Sequence, residues 1–237
     1  MDGPAVERGA VLIDEEGRLA AVGPEPAVPR PPGARVEVFD DALLLPGLIN
    51  THTHLELTGL PELVEQDFAA WIRGVRARKA ARGPDEWIAA AHSGLEACYR
   101  TGVTTVADTG DSGAVLEALA ERGGSGIAYH EVFGPDPAQA GDSLAGLQRR
   151  VGELCRFAGG RVRLGVSPHA PYSVSGALYA ATARWARDER LPTAVHVAES
   201  AAESSLLGHG TGAFADAWAG RSIPLPAPLG LTPIGWL

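Results

Sequence analysis

Three short apolar runs in this chain each open onto a histidine, and that repetition narrows the folds available to it. Leu43-Leu44-Leu45-Pro46-Gly47-Leu48-Ile49 leads into His52-Thr53-His54. Val162-Arg163-Leu164-Gly165-Val166 breaks into Ser167-Pro168-His169-Ala170-Pro171-Tyr172. Pro192-Thr193-Ala194-Val195 reaches His196, with a carboxylate following at Glu199. Residues i and i+2 of a strand point to the same side. His52 and His54 can therefore converge on one metal ion from the end of a single buried strand. Neutral imidazole is a common ligand for zinc and for iron. A lone His-x-His also fits ordinary polar residues at a strand end. Three strands that each deliver a histidine at the C-terminal end describe one rim of a parallel barrel, and in such barrels the chemistry gathers on that rim.

The rest of the chain alternates strand and helix. Strands are expected at Leu43–Asn50, Thr104–Asp108, Gly126–Val132, Val162–Ser167 and Thr193–Val197. Each is short and mostly apolar, as strands covered on both faces are. Between them, Asp85 can cap a helix whose apolar face carries Trp87, Ile88, Ala91, Leu95 and Cys98, ending before Gly102. Ser112 opens a short helix that ends near Gly123, residues 143–157 have helical apolar spacing, and Ser175 caps a helix running toward Glu189. Alternating β and α units imply a parallel sheet with right-handed crossovers. Residues 1–42 read as a separate small β-domain segment. Ala10-Val11-Leu12-Ile13 and Leu19-Ala20-Ala21-Val22 flank a turn at Asp14–Gly17, a Pro-rich loop follows, and Arg35-Val36-Glu37-Val38-Phe39 alternates like a strand. The expected class is α/β, about the first five strands of a (β/α)8 TIM barrel over residues 43–237, preceded by that segment.

Composition excludes several other classes. A length of 237 residues with 45% hydrophobic content suits one globular barrel domain. A net charge of −9 argues against nucleic acid or an anionic membrane as a partner. The chain has no run of about 18 apolar residues that could span a bilayer, and Met1-Asp2-Gly3-Pro4 does not begin a signal peptide. Cys98 and Cys155 are isolated and read as reduced core residues of a cytoplasmic protein rather than a disulfide framework or a metal clip.

Four motifs, in order, resemble the amidohydrolase superfamily. They are Leu45-Pro46-Gly47-Leu48-Ile49-Asn50-Thr51-His52-Thr53-His54, Gly102-Val103-Thr104-Thr105-Val106-Ala107-Asp108, Ser167-Pro168-His169-Ala170-Pro171-Tyr172-Ser173-Val174-Ser175 and His196-Val197-Ala198-Glu199-Ser200. The nearest likeness is to the cytosine deaminase and chlorohydrolase-like branch, which includes nucleoside-type and aminofutalosine deaminases. The resemblance implies one divalent metal ion, zinc or alternatively iron, held by His52, His54 and His196. It implies a metal-activated water that attacks an amino-bearing carbon of a purine-like or related heterocycle. Glu199 would shuttle a proton to the ring nitrogen beside that carbon; the other reading is a solvated loop carboxylate. His169 would contact substrate or serve only its loop, and Trp71 would line the substrate pocket or pack the core face of a helix. Glu56 can turn into the site or into a salt bridge, and His130, at the end of the third strand, has no assigned role. His92 and His209 are expected at the surface.

Five strands are three short of a closed barrel, and the family's sixth-strand histidine and eighth-strand aspartate have no counterpart here. The chain is therefore expected to be part of a longer enzyme, inactive alone. The partner expected is a small heterocyclic substrate, with a homo-oligomer as a further option. The rival functions are a dechlorinating or amide-hydrolysing relative and a non-catalytic half-barrel.

Overall fold

A computed structural model describes residues 4–62, 64 and 67–237. Two compact units divide it, Met1–Leu45 and Pro46–Leu237. In the first, β1 (Gly9–Ile13) and β2 (Leu19–Pro24) pair antiparallel. Asp14 closes the hairpin by accepting the Arg18 N–H at 2.7 Å, and Gly17 takes the positive φ of 76° that the turn requires. The strand expected at Arg35–Phe39 does not form. Its alternation is real, but it has no strand to pair with among the described residues, and Val38 and Phe39 are exposed.

In the second unit, four parallel strands lie in sequence order: β3 (Leu48–Thr53), β4 (Val103–Gly110), β5 (Gly126–Val132) and β6 (Val162–Pro168). Helices α1 (Phe68–Ala80), α2 (Pro84–Arg100), α3 (Ala114–Glu121), α4 (Ala140–Leu154) and α5 (Gly176–Asp188) separate and follow them. Three more, α6 (Ala201–His209), α7 (Ala213–Ala219) and α8 (Pro233–Trp236), complete the unit. This is the strand-and-helix alternation of a partial (β/α)8 barrel.

The first strand is displaced from its expected span. Pairing begins only where Leu48 donates its N–H to Gly102 at 2.8 Å, because Pro46 has no N–H to give. Gly47 must be glycine there: a Cβ would fall 2.0 Å from Thr104 Oγ1. His52 consequently lies inside β3 rather than beyond it.

The fifth expected strand, Thr193–Val197, is also corrected. It meets β6 through one parallel bridge, Val166 with Thr193. Its backbone follows β6 through Val166 N–H to Pro192 O at 3.0 Å, Ala194 N–H to Val166 O at 3.1 Å and His196 N–H to His169 O at 2.7 Å. An extended segment with a neighbour on one side only does not complete a ladder.

Helix starts differ in detail. Gly83, not Asp85, caps α2, its N–H held by Glu86 Oε2 at 2.8 Å. Gly113 caps α3, with Ser112 Oγ accepting the Ala114 N–H at 3.1 Å. Ser175 caps α5 as expected. One apolar core joins Ala128, Val132, Leu164 and Val166 of the sheet to Leu95 of α2, Leu116 and Leu119 of α3, and Leu147 and Leu154 of α4. Each fully buried leucine contributes roughly 1.5–3 kcal/mol. A second cluster gathers Ala69, Tyr172, Leu206, Phe214 and Trp218 around α1, α6 and α7. Cys155, expected in the core, is instead exposed, just past the end of α4.

Candidate metal centre

Asp108, buried near the end of β4, fixes the His-x-His segment. Its Oδ2 accepts Thr53 Oγ1–H at 2.8 Å and the Leu55 N–H at 2.7 Å. Holding the residues on either side of His54 leaves His52 and His54 to project together to the opposite side. Burial, partly offset by those two hydrogen bonds, raises the Asp108 pKa to about 7.

The partners of His54 fix its tautomer. His54 Nδ1 lies 2.9 Å from the Thr109 carbonyl oxygen. A carbonyl only accepts, so the proton is on Nδ1 and the Nε2 lone pair is bare. That lone pair faces His196 Nε2 at 3.1 Å. The ring centroids of His52, His54 and His196 form a near-equilateral triangle with sides of 5.0, 4.9 and 5.0 Å. Their ligand atoms all lie within 4.8 Å of one another. Two Zn–N bonds of about 2.0–2.1 Å at a tetrahedral angle place their nitrogens about 3.3 Å apart. The donor set therefore fits a small divalent cation in chemistry and in span. Burial first, then the neighbouring imidazoles, lowers both His54 and His196 to about 4. Both rings are neutral at pH 7, the form that ligates.

His169, on the loop after β6, joins the same group, its ring 4.9 Å from that of His196 and 4.8 Å from Phe133. Ser173 Oγ spends its hydrogen on the Ala170 carbonyl at 3.0 Å. It therefore accepts from His169 Nδ1–H at 2.7 Å, which leaves His169 Nε2 as an acceptor. Burial, followed by His196 and His54, lowers His169 to about 3.

Between His196 and Glu199 the chain passes through Ala198 at φ 61°. This left-handed conformation costs a non-glycine residue roughly 1 kcal/mol, and here it redirects the backbone before α6. Glu199 accepts the Tyr172 hydroxyl at 2.7 Å through Oε2 and gives its N–H to Glu203 Oε2 at 2.8 Å. Burial raises its pKa. Trp71 is two rings away: it stacks on Phe68 at 5.8 Å, and Phe68 meets Tyr172 edge-on at 5.9 Å.

Two acidic groups complete the surroundings. Glu56 is committed to a salt bridge, with Lys79 Nζ at 2.7 Å and the Ser112 N–H at 3.1 Å. Burial works against the Lys79 charge, but Glu56 and Asp111 outweigh it. Glu131 was not picked out from the sequence; its neighbour His130 was. The ladder pairs His130 with Val166 and Glu131 with Ser167. His130 lies with Val115, Leu116 and Leu154 on the helix-covered side. Glu131, on the other side, brings Oε1 to 3.7 Å from His196 Nδ1. Burial raises the Glu131 pKa to about 8. The signal that could have found it is strand alternation, counted one residue further along.

Residues 43–216 match the sequence profile described as the amidohydrolase family. The aminodeoxyfutalosine deaminase of Deinococcus radiodurans is 32% identical over 216 residues, covering 90% of this chain and 50% of that protein. The Helicobacter pylori aminofutalosine deaminase, solved in complex with methylthio-coformycin, superposes with a TM-score of 0.77 at 21% identity, over 90% of this chain and 52% of that one. The atrazine chlorohydrolase of Arthrobacter aurescens TC1, solved with zinc, gives a TM-score of 0.60 at 21% identity, over 88% and 56%. The chain spans about half the length of the curated relatives it matches.

Proposed function

From the chain's place in the amidohydrolase family, to which it belongs, we propose that the full-length protein is a metal-dependent aminohydrolase. Its substrate class is a small purine-like heterocycle, nucleosides included, and its metal is one zinc ion. Residues 1–42 would belong to a small flanking β-domain and residues 43–237 to the N-terminal part of the barrel, in a cytoplasmic enzyme. The observation that carries this reading is the convergence of His52, His54 and His196 on one point, with Glu199 close beyond the third of them. Relatives named as deaminases support the reaction class.

When bound, the metal supplies an activated water for hydrolytic attack. His52, His54 and His196 would hold it. The Thr109 carbonyl and Asp108 keep His54 in the tautomer and orientation that present its bare Nε2. Glu199 carries the proton destined for the heterocycle's ring nitrogen. Tyr172 occupies Glu199 Oε2 as a donor, so the transferable proton sits on Oε1. His169 presents Nε2 as an acceptor for a substrate hydroxyl or N–H. Trp71 supports the aromatic wall through Phe68 rather than touching the reacting groups.

The test is to purify the full-length protein, measure bound metal, and follow ammonia release from adenosine-type nucleosides alongside chloride release from chlorinated triazines. One zinc per chain with ammonia release is expected. Chloride release without ammonia release would move the protein to the dechlorinating class.

A further inference from the structure

We propose that Glu131 is the positioning residue for His196, accepting the hydrogen on His196 Nδ1 so that Nε2 stays aimed at the metal. Two observations meet here. His196 Nδ1 and Glu131 Oε1 are both buried, and among the described residues neither has a hydrogen-bond partner. They face each other at 3.7 Å, with side chains 5% and 4% exposed. Buried polar atoms in native proteins are almost always paired, so two adjacent unpaired ones of complementary kind mark a contact that closes in another state of the site.

The direction of that closure follows from the ring. His196 Nε2 is turned toward His54 Nε2 at 3.1 Å. Donating that lone pair to a cation leaves the ring's one hydrogen on Nδ1, directed at Glu131. A closure of about 0.5–1 Å brings the 3.7 Å gap to hydrogen-bond length. Metal-binding histidines almost always give their other N–H to a carboxylate, a carbonyl or water, and losing that partner typically weakens metal binding 10- to 100-fold. For His54 the partner is the Thr109 carbonyl; for His196 it is Glu131. The carboxylate is held firmly for this work, since Glu131 lies within the β5–β6 ladder opposite Ser167. Glu131, His169 and His196 are also close enough to hold a cation of their own. His196 Nδ1 cannot both donate to Glu131 and ligate a second ion, so metal stoichiometry separates the two roles.

This inference rests on the metal-centre reading, and the experiment keeps their failures apart. In the full-length protein, zinc affinity is measured by competition with a chelating dye for wild type, Glu131→Gln, Glu131→Leu and His196→Ala, with melting of each metal-free protein beside it. Glu131→Leu is expected to weaken zinc binding roughly 10- to 100-fold. Glu131→Gln, which still accepts through its amide oxygen, is expected to lose less. Neither should lower the metal-free melting temperature, because each removes a buried carboxyl group whose Oε1 has no hydrogen-bond partner among the described residues. If the Leu variant does not fold, Glu131→Ala is measured in its place, and unchanged zinc affinity with an unchanged cobalt(II) spectrum there overturns the proposal. Wild-type affinity in the Leu variant overturns it, as do two zinc ions per wild-type chain. Full metal retention in His196→Ala instead removes the metal-centre reading itself.

Discussion

The Tyr172 hydroxyl stands 2.7 Å from Glu199 Oε2 and is the donor of that hydrogen bond. Burial, together with Glu199, pushes the phenol well above its usual pKa, so it remains a donor at any working pH. The ring that carries it stacks on Phe214 at 4.4 Å, which makes the hydroxyl a fixed reference point for the carboxylate.

Tyr172→Phe removes a donor that favours ionised Glu199. The Glu199 pKa should rise, moving the limb of the pH–rate profile that reports it to higher pH. Turnover should fall roughly tenfold, the scale of one lost hydrogen bond to a charged group. Rate measurements on the full-length variant across pH 5–9 check both, and a profile that does not move would detach Tyr172 from proton transfer.

Replacing His52, His54 or His196 by Ala should sharply reduce bound metal and activity together, because each removes one corner of the imidazole triangle. Elemental analysis of the purified variants decides it. Full occupancy in His52→Ala or His196→Ala is the outcome that the metal-centre reading could not survive.

Glu199→Gln keeps the shape of the side chain and its contact with Tyr172 but cannot deliver a proton. Metal content should be unchanged while turnover drops by roughly two to four orders of magnitude, the usual scale for a positioned acid or base. Near-normal turnover would return Glu199 to the role of a loop carboxylate.

Asp108 makes stability depend on pH in a direction opposite to most aspartates. Its folded pKa is about 7, against 3.8 for an ordinary aspartate. Between those values the folded state holds a proton that the unfolded chain has released, so stability falls as pH rises. The loss should be complete just above pH 7 and amount to at most about 4 kcal/mol. Both donors to Asp108 use Oδ2, so Asp108→Asn can keep them through its amide oxygen while removing the titration. Melting temperatures of wild type and variant from pH 4.5 to 8.5 should converge at the acid end, with the variant higher at the alkaline end.

The sequence made the histidines at 52, 54 and 196 legible because period-two alternation and strand-end position are local properties. The ladder over Gly126–Val132 was legible for the same reason. What depends on a neighbour was harder to read. Arg35–Phe39 alternates like a strand yet finds no partner among the described residues, and Thr193–Val197 is held to β6 by a single bridge. The fate of Glu56 was set by Lys79 on a separate helix, which no local pattern reveals. Glu131 was not singled out, and His130 beside it was named without a role. The pairing of Glu131 with Ser167 and the burial of His130 against α3 and α4 separate the two.

His54 and His196 are 142 residues apart in sequence, yet their Nε2 atoms lie 3.1 Å apart. Closing a loop of that length costs about 4 kcal/mol in chain entropy, a cost set against the packing of the whole fold. An ion that binds the folded cleft and not the unfolded chain would act by mass action, adding about 1.4 kcal/mol of stability for each tenfold rise in free metal above its dissociation constant. The melting temperature of this protein should thus climb linearly with the logarithm of free zinc, turning a thermal scan into a readout of how tightly the cleft holds its ion.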